Sequence, residues 1–241
     1  MAGDRGVMTR LWPGTGEIQI RQFSLAIGDA ELRGVGQLLS TDERQRADRL
    51  LDRQIRNRFI AGRGRLRQIL AGYLETEPAD LLLTTNPFGK PGLKYRHNHG
   101  LCFNLSHSGD SCILALARDC ELGVDLEQVR DDLPFEAIAR QYFSRHEQSE
   151  LFSLMPAMQP AAFYRCWTRK EAYLKACGSG FSSPSDICDV SLLPDQPPEL
   201  LALRNAPEQL CEWNLADLAV PEGFCAALAA RTQISAVIYL R

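Results

Sequence analysis

The sequence lacks any apolar run that approaches the ~20 residues needed to span a membrane. The segment Met1–Arg10 also lacks the apolar stretch of a signal peptide, so we expect a cytoplasmic location. The net charge is only −3 at pH 7, and no general basic field indicates nucleic-acid binding. These absences predict a protein that has neither membrane nor nucleic acid as a partner.

The cysteines lack the spacing of a metal site or a disulfide framework. None of the eight forms a CxxC pair, and none alternates with the four histidines at zinc-ligand spacing. Most of them lie among apolar or small residues. We therefore interpret them as reduced thiols that act as small hydrophobic side chains.

The order of predicted elements indicates a mixed α/β protein made of two halves. The length of 241 residues allows one large domain or two small ones. Each half combines helices with about three strands, so we expect an N-terminal α/β half over 1–120 and a C-terminal half over 121–241. The segments that favour strands include Gln19–Ala26, Cys112–Arg118, Leu122–Glu127, Cys211–Leu215, Phe224–Ala230 and Ile234–Leu240, and those that favour helices include Leu38–Leu51, Arg53–Leu74, Phe135–Phe143, Arg145–Ser153 and Pro160–Ala176.

Two carboxylates alternate with apolar residues in the motif GVDLE, which begins at Gly123. In a strand, Asp125 and Glu127 would point to the same face, since residues two apart share a face. Adjacent carboxylates repel and raise each other's pKa, and a divalent cation would relieve that repulsion. The alternative interpretation is a half-buried strand with a solvated acidic face.

A predicted helix carries a third carboxylate. Trp167, Glu171 and Lys175 recur at intervals of four residues, which places them on one stripe. Three carboxylates beside a lysine suit Mg²⁺ bound to phosphate, because Mg²⁺ prefers oxygen ligands and completes its shell with water and phosphate. Zinc is disfavoured, since no Cys or His lies at ligand spacing here. The alternative is an ordinary Glu–Lys pair on an exposed helix.

Three further segments contain residues suited to phosphate. Ser106 and His107 enter a turn after a strand, where hydroxyl, imidazole and main-chain N–H groups can bind an anion. Gly89 and Lys90 offer close main-chain approach and positive charge. Arginines are frequent in the early helices, where a few could contact phosphate. The alternatives are a serine turn with a structural histidine, a surface turn, and solvated helix faces.

Taken in order, these motifs resemble the Sfp-type 4′-phosphopantetheinyl transferases. The resemblance rests on the basic segment, FGKP, FNLSHSG, GVDLE and WTRKEAYLKACGSGF, and it runs from about Leu38 to Ser185. It implies a pseudo-dimer of two similar subdomains, each a small, mainly antiparallel sheet packed with helices, with the active site in the cleft between them. It also implies Mg²⁺-dependent transfer of the 4′-phosphopantetheine moiety of coenzyme A to a serine of an apo acyl or peptidyl carrier protein, with release of 3′,5′-ADP.

The resemblance assigns roles to individual residues. The Mg²⁺ ligands would be Asp125, Glu127 and Glu171, and Mn²⁺ could replace the ion. The catalytic residues would be Glu171, Lys175 and His107, with Lys175 contacting the pyrophosphate. Glu171 is the first choice of general base, directly or through a metal-bound water, and Glu127 is the second. The residues that bind coenzyme A would be Arg46, Gly89, Lys90, Pro91, Ser106, His107 and Lys175.

The resemblance also implies an acidic carrier protein as partner. The segment Phe135–Arg145 could supply docking charge through Arg140 and Arg145, and a hydrophobic spot through Phe143. A pseudo-dimer already contains both sides of its cleft, so we expect a monomer. Two alternatives remain open: a catalytically silent coenzyme A-binding module, and a Mg²⁺-dependent pyrophosphate hydrolase.

Overall fold

The computed structural model describes residues 12–94, 100–178 and 187–240. The strands in these ranges are β1 (Glu17–Ser24), β2 (Leu83–Thr85), β3 (Pro91–Leu93), β4 (Leu101–Ser108), β5 (Ser111–Arg118), β6 (Leu122–Gln128), β7 (Cys188–Val190), β8 (Leu200–Leu203), β9 (Asn214–Asp217), β10 (Phe224–Ala230) and β11 (Ala236–Leu240). The α helices are α1 (Asp29–Gly36), α2 (Thr41–Asp48), α3 (Arg53–Leu74), α4 (Phe135–Tyr142), α5 (Arg145–Ser153) and α6 (Gln159–Cys177). Short 3₁₀ helices cover Pro78–Asp80, Pro156–Met158 and Pro207–Glu212.

Two small sheets organise the fold. The first has the strand order β11-β1-β5-β4, and the second has the order β6-β10-β9. Every pairing in them is antiparallel except that of β1 with β11, in which Glu17 lies opposite Ala236. Two further pairs, β2-β3 and β7-β8, form short ribbons. The predicted class, a mixed α/β fold of small, mainly antiparallel sheets packed with helices, is confirmed.

Each sheet packs against one long helix. The apolar stripe of α3, formed by Leu66, Leu70 and Tyr73, contacts the face of the first sheet that carries Phe103 and Leu114. Helix α6 packs in the same way against the second sheet. The faces of the two sheets also share one apolar cluster, whose buried members include Ile18, Ile20, Ile113, Val124, Leu126 and Leu228. This shared cluster makes the two sheets a single packed unit.

The strand β11 departs from the simple picture of two consecutive halves. It follows the second sheet in the chain but pairs with β1 in the first sheet. The first sheet otherwise uses strands that precede residue 120, and the second sheet uses strands that follow residue 121. The predicted domain boundary between residues 120 and 121 stays a prediction.

Most predicted elements exist, and the differences have local causes. Helices α3 and α5 and strand β10 have the predicted bounds. The strand expected over Cys211–Leu215 begins only at Asn214, because Pro207 opens a 3₁₀ helix that continues to Glu212. No helix in the described parts of the chain is long and apolar enough to cross a membrane.

A buried ion pair holds α5, α6 and β7 together. Lys170 donates to both carboxylate oxygens of Glu147, at 3.0 and 2.9 Å, and to the carbonyl of Cys188 at 2.5 Å. The same carboxylate accepts from the main-chain N–H groups of Ser144 and Val190. Glu147 is fully buried, and these four hydrogen bonds from three donor groups satisfy its charge.

We expect Lys170→Met to lower the free energy of unfolding by about 3–5 kcal/mol, because it leaves the Glu147 charge buried without its cation. Denaturant unfolding would measure the loss. The double variant Lys170→Met with Glu147→Gln should recover much of it, since the charge is then gone. The control is Arg65→Met, which removes an exposed pair with Glu31 and should change stability by less than about 1 kcal/mol. An effect of Lys170→Met as small as that of the control would contradict this account.

Candidate active site

Strand β6 presents its two acidic side chains on one face, as the alternation predicted. Val124 and Leu126 are buried in the cluster between the sheets. Asp125 is only 2% exposed, and Glu127 is partly exposed. The strand therefore fixes two carboxylates side by side where little water can screen their repulsion.

Helix α6 lies directly on β6 because residue 123 has no side chain. A Cβ atom at Gly123 would lie 2.1 Å from the carbonyl oxygen of Ala172 and 2.3 Å from the main-chain nitrogen of Ala176. The helix ends at Gly178, whose φ of 68° is in the left-handed region that glycine adopts readily. This close packing brings the last turns of α6, with Glu171 and Lys175, next to Asp125.

The cation of Lys175 compensates part of the negative charge. Its Nζ lies 2.5 Å from Oδ1 of Asp125 and 2.7 Å from Oγ of Ser106. Burial, with the nearby charge of Asp125, raises the pKa of Glu171 to about 7. Burial and Asp125 also raise the pKa of Glu127, against hydrogen bonds from Ser108 and Trp167. The structure thus brings the three predicted carboxylates and the predicted lysine into one electrostatically coupled cluster.

The donor set of this cluster fits a hard divalent cation. Oδ2 of Asp125 is buried and accepts no hydrogen bond from the residues that the structure describes, although an ionised carboxylate normally fills its acceptor sites. In those same residues, no group of three His, Cys, Asp or Glu side chains is already arranged around an ion position. Mg²⁺ is usually held by one or two carboxylates together with water and substrate phosphate, so a protein cage of three ligands is not required.

Ser106 and His107 lie on opposite faces of β4. Ser106 is buried, and its hydroxyl donates to Oδ1 of Asp125 at 3.1 Å while it accepts from Lys175. His107 is exposed, and partial desolvation together with the charges of Lys175 and Arg58 lowers its pKa. The structure therefore joins Ser106 to the carboxylates and leaves the imidazole accessible on the other side.

The GKP loop is the turn of the β2-β3 hairpin. Gly89 has a φ of 87°, which favours glycine. Lys90 directs its ammonium inward and donates to the carbonyl oxygens of Leu122 at 3.0 Å and Ala176 at 2.9 Å. Lys90 and Pro91 also line a cavity of about 480 Å³ beside the end of α6. The lysine charge expected to face a ligand is thus partly used to hold this hairpin against α6 and β6.

Arg46 belongs to a second basic region. It lies in the last turn of α2, with its guanidinium 5.2 Å from the ring centre of Phe59, and Arg63 approaches the same ring at 5.9 Å. Both arginines line a cavity of about 380 Å³, which shares Thr84 and Thr85 with the cavity beside the GKP loop. Strand β2 therefore connects the two regions expected to bind the nucleotide part of coenzyme A.

The sequence did not indicate which residues beside Glu171 in α6 have purely structural partners. Arg169 and Lys170 precede Glu171 and are buried. Arg169 makes a bidentate pair with Asp217, and Lys170 pairs with Glu147. The docking role expected of Phe143 is wrong, because its ring is buried and stacks on Phe163 at 5.3 Å. A motif records which residues occur together, but it does not show which of them face the cleft.

A third cavity opens beside Glu127. Its volume is about 350 Å³, and Ser108, Tyr164 and Trp167 contribute to its walls. The apolar side chains of Leu133, Ile138 and Phe163 also line it. The carboxylate cluster thus borders a partly apolar space large enough for part of an organic substrate.

Comparison with protein families gives two matches that together cover most of the chain. Residues 121–229 match the family described as the 4′-phosphopantetheinyl transferase superfamily. Residues 28–119 match the family described as 4′-phosphopantetheinyl transferase, N-terminal. The two matched regions meet next to residue 120.

Curated proteins show the same likeness. The chain is 37% identical over 215 residues to the 4′-phosphopantetheinyl transferase HetI of a Nostoc species, covering 89% of this chain and 87% of HetI. It is 29% identical over 160 residues to the 4′-phosphopantetheinyl transferase Sfp of Bacillus subtilis, covering 65% of this chain and 68% of Sfp. It is 42% identical over 90 residues to the 4′-phosphopantetheinyl transferase AcpT of Salmonella typhimurium, covering 37% of this chain and 46% of AcpT.

We expect Gly123→Ala to lower the free energy of unfolding by about 1–3 kcal/mol, because the added methyl group pushes α6 away from β6. Thermal or denaturant unfolding would measure the change. The matched control is Gly72→Ala in α3, where a Cβ atom meets nothing within 4 Å. That variant should gain up to about 1 kcal/mol from helix propensity. Similar effects of the two substitutions would contradict the close-packing account.

Proposed function

Because the chain belongs to the 4′-phosphopantetheinyl transferase superfamily, we propose that it transfers the 4′-phosphopantetheine arm of coenzyme A to a serine of an apo acyl or peptidyl carrier protein. The other product is 3′,5′-ADP, and the reaction depends on Mg²⁺, for which Mn²⁺ can substitute. The observation that carries the proposal is the convergence of Asp125, Glu127, Glu171 and Lys175 at one partly buried cluster beside a cavity.

The three carboxylates would hold the metal ion. Asp125 contributes the buried oxygen that accepts no hydrogen bond from the described residues, and Glu127 and Glu171 lie within electrostatic reach of Asp125. When bound, Mg²⁺ supplies positive charge that stabilises the pyrophosphate oxygens of coenzyme A.

Lys175 would donate to an oxygen of the pyrophosphate. Its side chain is 30% exposed, so the ammonium lies at the rim of the cluster. There it can give up its contact with Asp125 and donate to a bound ligand instead. Placement on a packed helix fixes the charge before the substrate arrives, which makes its stabilisation of developing negative charge effective.

Glu171 would accept the proton of the carrier serine. The serine oxygen forms a bond to the β-phosphorus of coenzyme A, and the bond from that phosphorus to the bridging oxygen breaks. The proton passes to the carboxylate of Glu171, and the bridging oxygen leaves with the electron pair as part of 3′,5′-ADP. Glu127, which faces the cavity, is the alternative base.

The remaining predicted residues would hold the nucleotide end of coenzyme A. Arg46 and His107 offer charge and an imidazole for the phosphate, and Gly89 with Pro91 offers main-chain surface for adenine and ribose. Arg46 and Pro91 line the two cavities that share Thr84 and Thr85, which supports their part of this arrangement. Ser106, buried beside Asp125, would reach a phosphate only through a change of its present contacts.

Arg140 and Arg145 would contribute positive charge to the docking of an acidic carrier protein. Arg140 lies over the ring of Phe152 at 4.6 Å, and both arginines are exposed.

We propose that the chain acts as a monomer, since residues from both sheets already contribute to the carboxylate cluster.

The transfer assay combines the protein with coenzyme A, Mg²⁺ and apo acyl or apo peptidyl carrier protein. We expect the carrier mass to increase by that of the phosphopantetheine arm, as measured by mass spectrometry, and the increase to disappear with chelator. A carrier whose reactive serine is replaced by alanine is the control. Release of 3′,5′-ADP without carrier would instead identify a hydrolase, and binding without product would identify a silent module.

Glu171→Gln should lower kcat by roughly 10²–10⁴-fold, because the amide cannot accept the serine proton. Calorimetric titration should show that coenzyme A still binds with nearly wild-type affinity. The control is Glu77→Gln, which changes an exposed carboxylate beyond the C-terminal end of α3 that lines none of the three cavities described above. Near-normal turnover of Glu171→Gln would refute its assignment as base.

A further inference from the structure

Strands β4 and β6 meet at the junction of the two sheets without belonging to the same sheet. Side chains of alternate β4 residues accept hydrogen bonds from the main-chain N–H groups of alternate β6 residues. The three bonds join Asn104 Oδ1 to Val124 N at 2.8 Å, Ser106 Oγ to Leu126 N at 3.2 Å, and Ser108 Oγ to Gln128 N at 3.0 Å. We call this set of bonds the seam.

The spacing of the seam follows from strand geometry. Side chains two apart on β4 point to one face, and N–H groups two apart on β6 point to one edge. Val124 and Leu126 are buried, so their N–H groups need partners that water cannot supply. The seam therefore supplies hydrogen-bond acceptors to one edge of β6, as a neighbouring strand would in a sheet. It also fixes the register of β6 against β4.

Each serine of the seam also donates to a carboxylate. The hydroxyl of Ser106 donates to Oδ1 of Asp125 at 3.1 Å, and that of Ser108 donates to Oε2 of Glu127 at 2.9 Å. A hydroxyl has one donor and two acceptor positions. Ser106 uses all three, because it also accepts from Lys175. Its donor proton is therefore directed at a carboxylate rather than at a ligand.

We propose that Asn104, Ser106 and Ser108 are positioning residues, whose seam with β6 holds Asp125 and Glu127 in the orientation that the metal and substrate require. This inference rests on the proposed function, and it assigns to Ser106 a role other than the phosphate contact expected from the sequence. Hydrogen bonds to the ligating carboxylates from a second layer of residues orient such ligands, and their loss typically weakens metal binding 10–100-fold. His107, on the opposite face of β4, keeps the phosphate role.

The seam can be tested apart from catalysis by amide hydrogen exchange. In metal-free protein, Ser108→Ala should accelerate exchange at Gln128, and Ser106→Ala should accelerate it at Leu126, each by roughly tenfold or more. Ala115 in β5, which pairs with β1 in a main-chain ladder, should keep its wild-type rate. Ser111→Ala is the matched control, since it removes a serine from the neighbouring strand and should leave both β6 amides unchanged.

The positioning role is tested by the metal dependence of transfer. In Ser108→Ala, the Mg²⁺ concentration for half-maximal rate should rise roughly 10–100-fold, while KM for coenzyme A stays near its wild-type value. Ser108→Thr keeps the hydroxyl and should restore the wild-type metal dependence. Ser108 is the better first target, because Ser106→Ala also removes a partner of Lys175.

Two results would overturn the inference. One is unchanged exchange at Leu126 and Gln128 in both alanine variants. The other is a raised KM for coenzyme A with unchanged metal dependence, which would make these serines ligand contacts. If the wild-type protein transfers no arm, the proposed function fails, and the exchange experiment still decides whether the seam holds β6.

Discussion

The contact between helix α6 and strand β6 is the constraint on which the site depends. It requires a glycine at position 123, because the helix backbone occupies the space of a side chain there. Because α6 lies this close to β6, Glu171 and Lys175 reach Asp125, and they give the cluster its third carboxylate and its cation. A larger residue at one position of the strand would thus separate charges that lie on different elements.

The sequence predicted the carboxylates because strand and helix periods are regular. Asp125 and Glu127 follow the two-residue period of β6, and Glu171 follows the helical spacing from Trp167. The sequence did not show that the neighbouring Lys170 turns away to a buried partner, Glu147, because that partner lies 23 residues earlier in the chain. Register and pairing between distant segments depend on packing that local patterns do not contain.

The same limit applies to the fold. Local signals located α3, α5 and β10 at their observed bounds, since apolar periodicity and caps are encoded within each segment. Nothing local indicated that β11 would pair with β1. The motif FNLSHSG was interpreted as a turn for phosphate, whereas two of its serines lie on a strand and bond β6. A hydroxyl suits either partner, and only the fold decides between them.

The pairing of β1 with β11 has a consequence for how the chain is made. Synthesis begins at the N-terminal end, so β1, β4 and β5 leave the ribosome long before residues 236–240. During that time one edge of β1 has no strand to cover it, and exposed strand edges can pair with other chains. The first sheet is completed only when β11 arrives. Until then, the main-chain N–H and C=O groups along that edge of β1 lack the partners that β11 supplies in the finished sheet.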